Sequence, residues 1–568
     1  MCISRQIPRV RKAAVLGLLV FIGFFAFSAS LEPMVRVSCA KPGDWRFETT
    51  ERDGAPGVRL VTVRGVAPQA SPVPRFTVDF EIPAIDCEFI WNPNFGCAEN
   101  LTMLPWWGDV FNIARTQPVR TFFNRANENR FTLAVGELRR TVKFGGGFDE
   151  GRFSRHTSVA FFDEPSEPLR EYAVEFRLDA RAVPFATAVQ AAAAWQTALA
   201  GPAAVPPSAA YDALYSTWYN FHKDVNAAKI EAECAEAAKL GMKVVILDDG
   251  WQCDDTEGGY ASCGDWEIST TRFPDMRAHV AKVHELGLKY MVWFSMPFVG
   301  EKTKAYAAFK EKMLRKIPGL GCWVLDPRFP EVRAHLRDIY LARLRAWDID
   351  GFKLDFIDSF GMEGEVDPAV AQDYAGRDCR SIPDGVERLI KEVTSALEAE
   401  KSGLLFEFRQ AYVGPEIRKY GNMMRVGDCP GSALRNRVHI ANLRLLCEGS
   451  AVHADMLRWN DAATVQEAQW NILNCLFGVI QYSIVLEKAS PEMRAMMKKW
   501  ISFADAHRET LLKGRFTPHR PELNYPVIEA ESETERIVVV YDPSVRVDLA
   551  KSDKKTLVID ATTGAITE

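Results

Sequence analysis

A (β/α)8 barrel with a β-rich domain on either side is the fold class this sequence of 568 residues predicts. Three observations carry that reading. From residue 215 onward, eight short apolar stretches alternate with helical stretches, the rhythm of a parallel barrel joined by helical crossovers. Before it, residues 31–200 carry short runs alternating apolar and polar at period two, split by turn signals. After Gly514 short strand patterns return.

In chain order, the first segment is a leader. Arg5, Arg9, Arg11 and Lys12 precede an apolar run over residues 13–27, and Ser28, Ala29 and Ser30 follow. A charged front, a short apolar core and a small-residue zone predict a secretory signal over residues 1–30. The run falls short of the about 20 apolar residues of a membrane span, so no stable span is expected. The expected location is secreted or periplasmic. An uncleaved anchor, or a cytoplasmic chain whose true start is Met34, are the alternatives.

Residues 31–200 read as an N-terminal β-sandwich-like domain. Alternating runs at 58–63, 76–80, 130–135, 158–162 and 172–178 predict its strands. Asp53-Gly54, Pro72 and Gly145-Gly146-Gly147 are read as turns. An aromatic stretch, residues 91–110, holds Trp91, Trp106 and Trp107 and a sequon at Asn100. An alanine-rich helix over 186–200 and a Gly/Pro linker lead into a barrel over residues 208–513, and a small β domain spans 514–568.

Barrel strands are predicted at 215–221, 243–247, 289–294, 351–355, 404–408, 422–426, 451–455 and 479–486, with helices at 227–240, 274–286, 330–347, 385–398 and 433–446. Barrel chemistry sits at the carboxyl ends of the strands. Those ends carry Trp218, Tyr219 and Asn220; Asp248, Asp249 and Trp251; Trp293; Lys353 and Asp355; Glu407 and Arg409; Arg425 and Asp428; His453 and Asp455. In GFKLDF (351–356), Lys353 and Asp355 are two apart on a strand and share a face. Acids from five strands converging on one mouth outweigh the reading as structural ion pairs.

Several functions are excluded or weakened. A net charge of −6 with both signs interspersed leaves no nucleic-acid footprint. The nine histidines are scattered without metal-ligand spacing, and neither a GxSxG elbow nor a phosphate-cradling loop is present, so no metal or cofactor is expected. No CxxC pair occurs; Cys253 and Cys263 either bridge in an oxidising compartment or remain free thiols. What remains is paired-carboxylate chemistry, in which two acids across a glycosidic bond act as nucleophile and acid/base. Lys353 beside Asp355 would keep that carboxylate ionised. Asp428 is the candidate proton donor, although Arg425, three residues away, opposes its protonation.

The order of YSTWYNF, VVILDDGW, GDW, RFPDM, GFKLDF, RVGD and HADML over residues 210–513 resembles the clan D α-galactosidases, glycoside hydrolase families 27 and 36. The resemblance implies Asp355 as nucleophile and Asp428 as acid/base. It implies Asp248 and Asp249 on the 4- and 6-hydroxyls of galactose, Lys353 on the 3- and 4-hydroxyls, Trp218 and Trp293 walling the ring, and Arg425 toward the 2-hydroxyl. Glu407 matches an acid that family 27 places on strand 5; Trp251, Arg409 and Asp455 complete the expected substrate-binding set. The expectation is a retaining exo-α-galactosidase acting on carbohydrate. Alternatives are an α-N-acetylgalactosaminidase, a β-L-arabinopyranosidase, a transglycosylase, or a non-catalytic galactoside-binding protein. A homo-oligomer is compatible with the sequence. The chain departs from the family in KLD for the K-W-D of family 36, in FEFRQAYVGP for its Cys-Ser-Gly-Gly loop, and in a shorter step from Arg425 to Asp428.

Overall fold

The computed structural model describes residues 34–93, 101, 106–361, 366–409 and 411–568. The expected leader and the sequon at Asn100 lie outside the described residues. The N-terminal part is a pair of antiparallel sheets, one of five strands and one of six. Strand Phe76–Pro83 shows why they face each other: its side chains alternate buried and half-buried, and Phe76, Val78, Phe80 and Ile82 enter a core with Phe144, Phe161, Phe176 and Leu133.

The three glycines read as a turn instead lie inside a strand, Val142–Asp149. The neighbouring strand, Trp106–Phe111, pairs with it and lays two indoles over its backbone. A Cβ on Gly146 would come within 1.9 Å of the Trp107 ring, and one on Gly147 within 2.5 Å of Trp106. Glycine is required there by packing, not by chain reversal. Trp107 in turn carries the Arg120 guanidinium 3.4 Å from its ring centroid.

Eight parallel strands form the barrel, in the order of the sequence. They are Leu214–Ser216, Val244–Leu247, Lys289–Ser295, Gly351–Asp355, Leu405–Arg409, Met423–Arg425, Ala451–His453 and Gln481–Tyr482. The last pairs with the first, and a parallel bridge from His453 to Val479 joins the seventh and eighth. Strand Gly351–Asp355 is buried at every position, and a Cβ on Gly351 would come within 2.4 Å of the Leu405 carbonyl, so that strand can start only with glycine.

The helices follow their sequence signals. Ala227–Leu240 opens on Asn226, whose side chain accepts from the Lys229 amide, and closes on Gly241 in the left-handed region at φ 99. Pro330–Trp347 opens on proline, and Ala433–Leu446 on Ser432. The first strand is shorter than expected. Thr217 turns the chain, and Trp218–Phe221 is one turn of helix, so Trp218, Tyr219 and Asn220 stand on a cap beyond the strand end. After the third strand the chain makes an unanticipated excursion, a three-stranded sheet of Phe298–Gly300, Met313–Ile317 and Cys322–Leu325 with helix Lys304–Phe309. Two helices that the sequence reading omitted, Val465–Asn474 and Pro491–Ala506, flank the last barrel strand.

Beyond the barrel lies a five-stranded sheet running from Arg515 to Thr567. The three parts meet at Asn442 on helix Ala433–Leu446. Its Oδ1 accepts from Trp91 Nε1 at 3.0 Å and from the Tyr525 hydroxyl at 2.7 Å. Trp91 is therefore a buried joint between domains and is not free to reach a substrate. Cys253 and Cys263 are free thiols. Among the described residues, no helix is long and apolar enough to cross a membrane, and no cluster of three or more His, Cys, Asp or Glu side chains could hold a metal ion.

Candidate active site

Sheet register stacks the candidate residues in layers. Lys353 lies opposite Trp293 on the third strand and Glu407 on the fifth. One layer further toward the carboxyl ends, Asp355 faces Ser295, and Arg409 faces Arg425, which faces His453. Alternation along each strand then turns these side chains into the barrel mouth.

Asp355 is held by three donors. Arg409 Nε donates to Oδ1 at 2.5 Å, the Phe356 amide to the same oxygen at 2.7 Å, and Trp293 Nε1 to Oδ2 at 3.0 Å. Phe356 lies in the left-handed region at φ 62, which turns the chain sharply just after the carboxylate. Burial opposes the charge on Asp355, but Arg409 and then Lys353 outweigh it and hold the carboxyl well below the usual carboxylate range.

The expected pairing of Lys353 with Asp355 is corrected here. Lys353 Nζ donates to Asp248 Oδ2 at 2.6 Å and acts on Asp355 only through its field. The direct counter-ion of Asp355 is Arg409. An arginine on the neighbouring strand can enter the face that Lys353 was expected to fill, because Lys353 is drawn across the barrel to the second strand. Asp248 Oδ1 meanwhile accepts from the Asp249 amide at 2.9 Å, and the Asp248 amide donates to Thr217 Oγ1 at the same distance.

Asp249 presents a different balance. Its Oδ1 accepts from Gln252 Nε2 at 2.6 Å, while Oδ2 is buried with no hydrogen-bond partner and lies 3.8 Å from Lys223 Nζ. Burial raises its carboxyl to about 6 against the opposing pull of Lys223 and Gln252.

Arg425 is the hub of the opposite wall. Nη2 donates to Asp428 Oδ1 at 2.9 Å, Nη1 to Asp455 Oδ1 at 2.7 Å, and Nε lies 3.6 Å from Glu407 Oε1. Desolvation pushes Asp428 up, yet Arg425 and Arg409 pull it below the ordinary range. The side chain of Asp428 is 56% exposed, the most open carboxylate of the group. Glu407 forms the floor, with Oε2 accepting from Gln481 Nε2 at 2.6 Å. Burial raises it despite Lys353 and Arg425.

Two expected substrate contacts are overturned. Trp251 is fully buried, packs against Trp266, Phe294 and Trp347, and donates its N–H to the Trp293 carbonyl at 3.0 Å. The tight turn after the second strand points it under the mouth, where it supports Trp293. Asp455 is also fully buried, and its oxygens are satisfied by Arg425, the Cys429 amide at 2.6 Å and the Tyr219 hydroxyl at 3.0 Å. It anchors Arg425 rather than a ligand. Trp218 stands half-buried on the cap of strand one, edge-on to His222.

Other residues of the site were not anticipated. Tyr260 stacks on Trp293 at 5.9 Å between centroids and meets Phe356 edge-on. It arrives from the Gly-rich loop, which carries no periodic signal. Lys223 and Gln481 had one available signal, a polar side chain just past a strand end or inside an apolar strand.

Comparisons with known proteins bear on the sequence pattern of the barrel and on the fold. The melibiase family model matches residues 209–355. α-Galactosidase Mel36A of Lactobacillus acidophilus is 29% identical over 216 residues, 36% of this chain and 29% of that protein. α-Galactosidase 1 of Pediococcus pentosaceus is 30% identical over 150 residues, 25% of this chain and 20% of that protein. The aligned part thus spans less than a third of these curated relatives. Among solved structures, the Lactobacillus brevis α-galactosidase superposes with a TM-score of 0.65 at 14% identity, over 88% of this chain and 75% of that one. The Geobacillus stearothermophilus family 36 enzyme AgaB reaches 0.67 at 14% identity, over 88% and 79%. AgaA of the same organism, TM-score 0.64 at 15% identity over 87% and 76%, was crystallised as a variant with raffinose. A barrel that matches the melibiase family model over residues 209–355, in a fold shared with these solved structures, is what makes the chain similar to α-galactosidases of the glycoside hydrolase family 36 type.

Proposed function

We propose that the protein is a retaining exo-acting α-galactosidase that removes terminal α-linked galactose from oligosaccharides or glycoconjugates. The observation that carries the reading is Asp355: a carboxylate at a barrel strand end, held ionised and fixed in orientation by Arg409, Trp293 and the Phe356 amide. Such a group attacks an anomeric carbon without first losing a proton.

In the first step Asp355 bonds to the anomeric carbon as the glycosidic bond breaks, and Asp428 gives its proton to the departing oxygen. In the second, Asp428 takes a proton from water, and that water displaces Asp355. Asp428 is anionic in the open site, so the proton it donates is acquired when a neutral sugar displaces water around it and weakens its charged form. Asp248 and Asp249 offer adjacent carboxylates to adjacent hydroxyls, and the orphaned Oδ2 of Asp249 is the acceptor a sugar hydroxyl would satisfy. A site of this kind rejects sugars lacking those hydroxyls, because its own polar atoms would then stay unpaired. The raffinose held by the AgaA variant is a substrate of the proposed class. The leader pattern of residues 1–30 supports export, where such oligosaccharides are met outside the cell.

The test is turnover of an aryl α-galactoside by the wild type and by Asp355→Asn, with the product anomer read by proton NMR. The reading expects α-galactose as first product and loss of turnover in a folded variant. Inverted product, or full activity in Asp355→Asn, overturns it.

A further inference from the structure

The aromatic stretch of the sandwich carries an indole that the reaction leaves unused. In the five-stranded sheet, Trp106–Phe111 is an edge strand, followed by Val142–Asp149, Ser154–Phe161 and Phe76–Pro83. Trp106, Gly147, His156 and Glu81 form one row across these strands. Gly108, Gly145, Ser158 and Asp79 form the next row on the same face. That face points away from the core, because Val78, Phe80, Phe144 and Val159, which alternate with these residues, lie inside it. The Trp106 ring crosses Gly147 toward His156, 6.2 Å away between centroids, and the residue is 68% exposed.

That ring explains glycine at 147, but nothing in the packing explains glycine at 145. A Cβ there would meet nothing within 4 Å, and its partner Gly108 would meet only the Phe144 carbonyl, at 3.5 Å. Neither residue lies in the left-handed region. Two paired glycines thus weaken adjacent strands without serving packing or chain direction. Glycine of that kind inside a strand marks a place where a ligand lies against the backbone. The surrounding groups select the ligand. The electron-rich face of an indole attracts the C–H side of a sugar ring. His156, Ser158 and Asp79 offer donors and acceptors beside it, while Glu81 is engaged by Ser154 and Arg152. The carboxylates of Asp79 and Glu81 disfavour an anion, and Trp106 alone among these eight residues is large and apolar, too little for a lipid or an amphipathic helix.

We propose that this face is a second, non-catalytic saccharide site, which holds a neutral polysaccharide with one sugar ring on Trp106 and the next over the bare floor of Gly108 and Gly145. It uses none of the carboxylates of the barrel mouth and does not depend on which sugar the barrel cleaves.

The test is affinity electrophoresis of the full chain through gels containing galactomannan, glucomannan or arabinogalactan, with polygalacturonate as the anionic comparison. The wild type is run beside Trp106→Ala, Trp106→Phe and Gly145→Val, the last a change that fills the floor where nothing stands within 4 Å. The inference expects the wild type to be retarded by at least one neutral polysaccharide and not by polygalacturonate. It expects a dissociation constant about tenfold higher or more in Trp106→Ala and in Gly145→Val, with part of the binding kept by Trp106→Phe. Melting and kcat/KM on an aryl α-galactoside should stay those of the wild type in all three. Unaltered mobility of the wild type in every neutral gel overturns the inference, as does retardation of Trp106→Ala equal to that of the wild type. A fall in kcat/KM that follows the loss of retardation would put Trp106 in the reaction and overturns it too. So does a lower mass of Trp106→Ala in light scattering with retardation unchanged, which would make this face a contact between copies of the chain.

Discussion

Sugar binding should depend on pH through Asp249. Its carboxyl titrates at about 6 in the ligand-free site, because burial outweighs Lys223, 3.8 Å away, and the Gln252 bond. Its Oδ2 has no donor. A galactose hydroxyl donating to that oxygen favours the anion and lowers the titration point in the complex. Above the ligand-free value both states are ionised and Kd is flat. Below it the free protein must give up a proton to bind, so affinity falls as pH falls, by up to about tenfold or 1.4 kcal/mol per unit. Between pH 7 and 5, with the complex titrating well below 5, the weakening is about tenfold. Asp355 lies below the ordinary range and contributes nothing to this window; proton uptake by Asp428 on binding acts in the opposite sense and is common to the wild type and the Asp249→Asn control. Glu407 and Asp358 are also raised, so the variant Asp249→Asn is the control that leaves both in place. The assay is calorimetric titration with galactose across that range in two buffers of different ionisation enthalpy, counting protons released. A constant Kd from pH 7 to 5 refutes the argument, and so does an equal slope in Asp249→Asn.

Replacing Arg425 with Met strands the fully buried Asp455; barrel stability should fall by about 3–5 kcal/mol in urea unfolding. Because Arg425 holds Asp428 down, the alkaline limb of kcat/KM should also move upward in that variant if Asp428 is the acid, and an unmoved limb would refute that role. Trp251→Phe should cost about 1–3 kcal/mol while KM for an aryl galactoside changes little; a large rise in KM with unchanged melting would restore Trp251 to the sugar site. In the sandwich, Gly146→Val drives a side chain into Trp107, whereas Gly145→Ala meets nothing within 4 Å. The first should lose at least about 1–3 kcal/mol and the second almost nothing, as read by thermal melting.

The barrel was legible because its two periodicities are local. Helix 227–240 lies between Asn226 and Gly241, 330–347 opens on Pro330 and 433–446 on Ser432, each a local signal in the sequence. Strand Gly351–Asp355 needed only alternation after a glycine. The site was legible as residue types at strand ends, since a barrel turns those ends to one mouth. Which charge meets which was not legible. Lys353 and Asp355 share a face, yet the shortest bond from Lys353 runs across the barrel to Asp248, and Asp355 is met from the next strand. Such choices depend on distances around the barrel, which spacing along one strand does not encode. The glycines of strand Val142–Asp149 mislead for the same reason: the indoles that demand them stand on the paired strand Trp106–Phe111, more than thirty residues away.

The charges of the mouth act unequally on its acids. Asp248, Asp249, Asp355, Asp358, Glu407, Asp428 and Asp455 share Lys223, Lys353, Arg409 and Arg425. With more acids than cations in low dielectric, full ionisation of every carboxyl would be prohibitive. The acids are not affected alike. Asp355 and Asp428, each in direct contact with an arginine, are held below the ordinary range. Asp249, Asp358 and Glu407, whose nearest cations stand at 3.6 Å or more, are raised, and Asp455 is raised by burial even with its arginine. Burial thus weakens the charge of the surrounding acids, while direct contact with arginine protects that of Asp355. Removing one of the raised acids should leave Asp355 ionised, whereas removing Arg409 should bring it back toward the ordinary range.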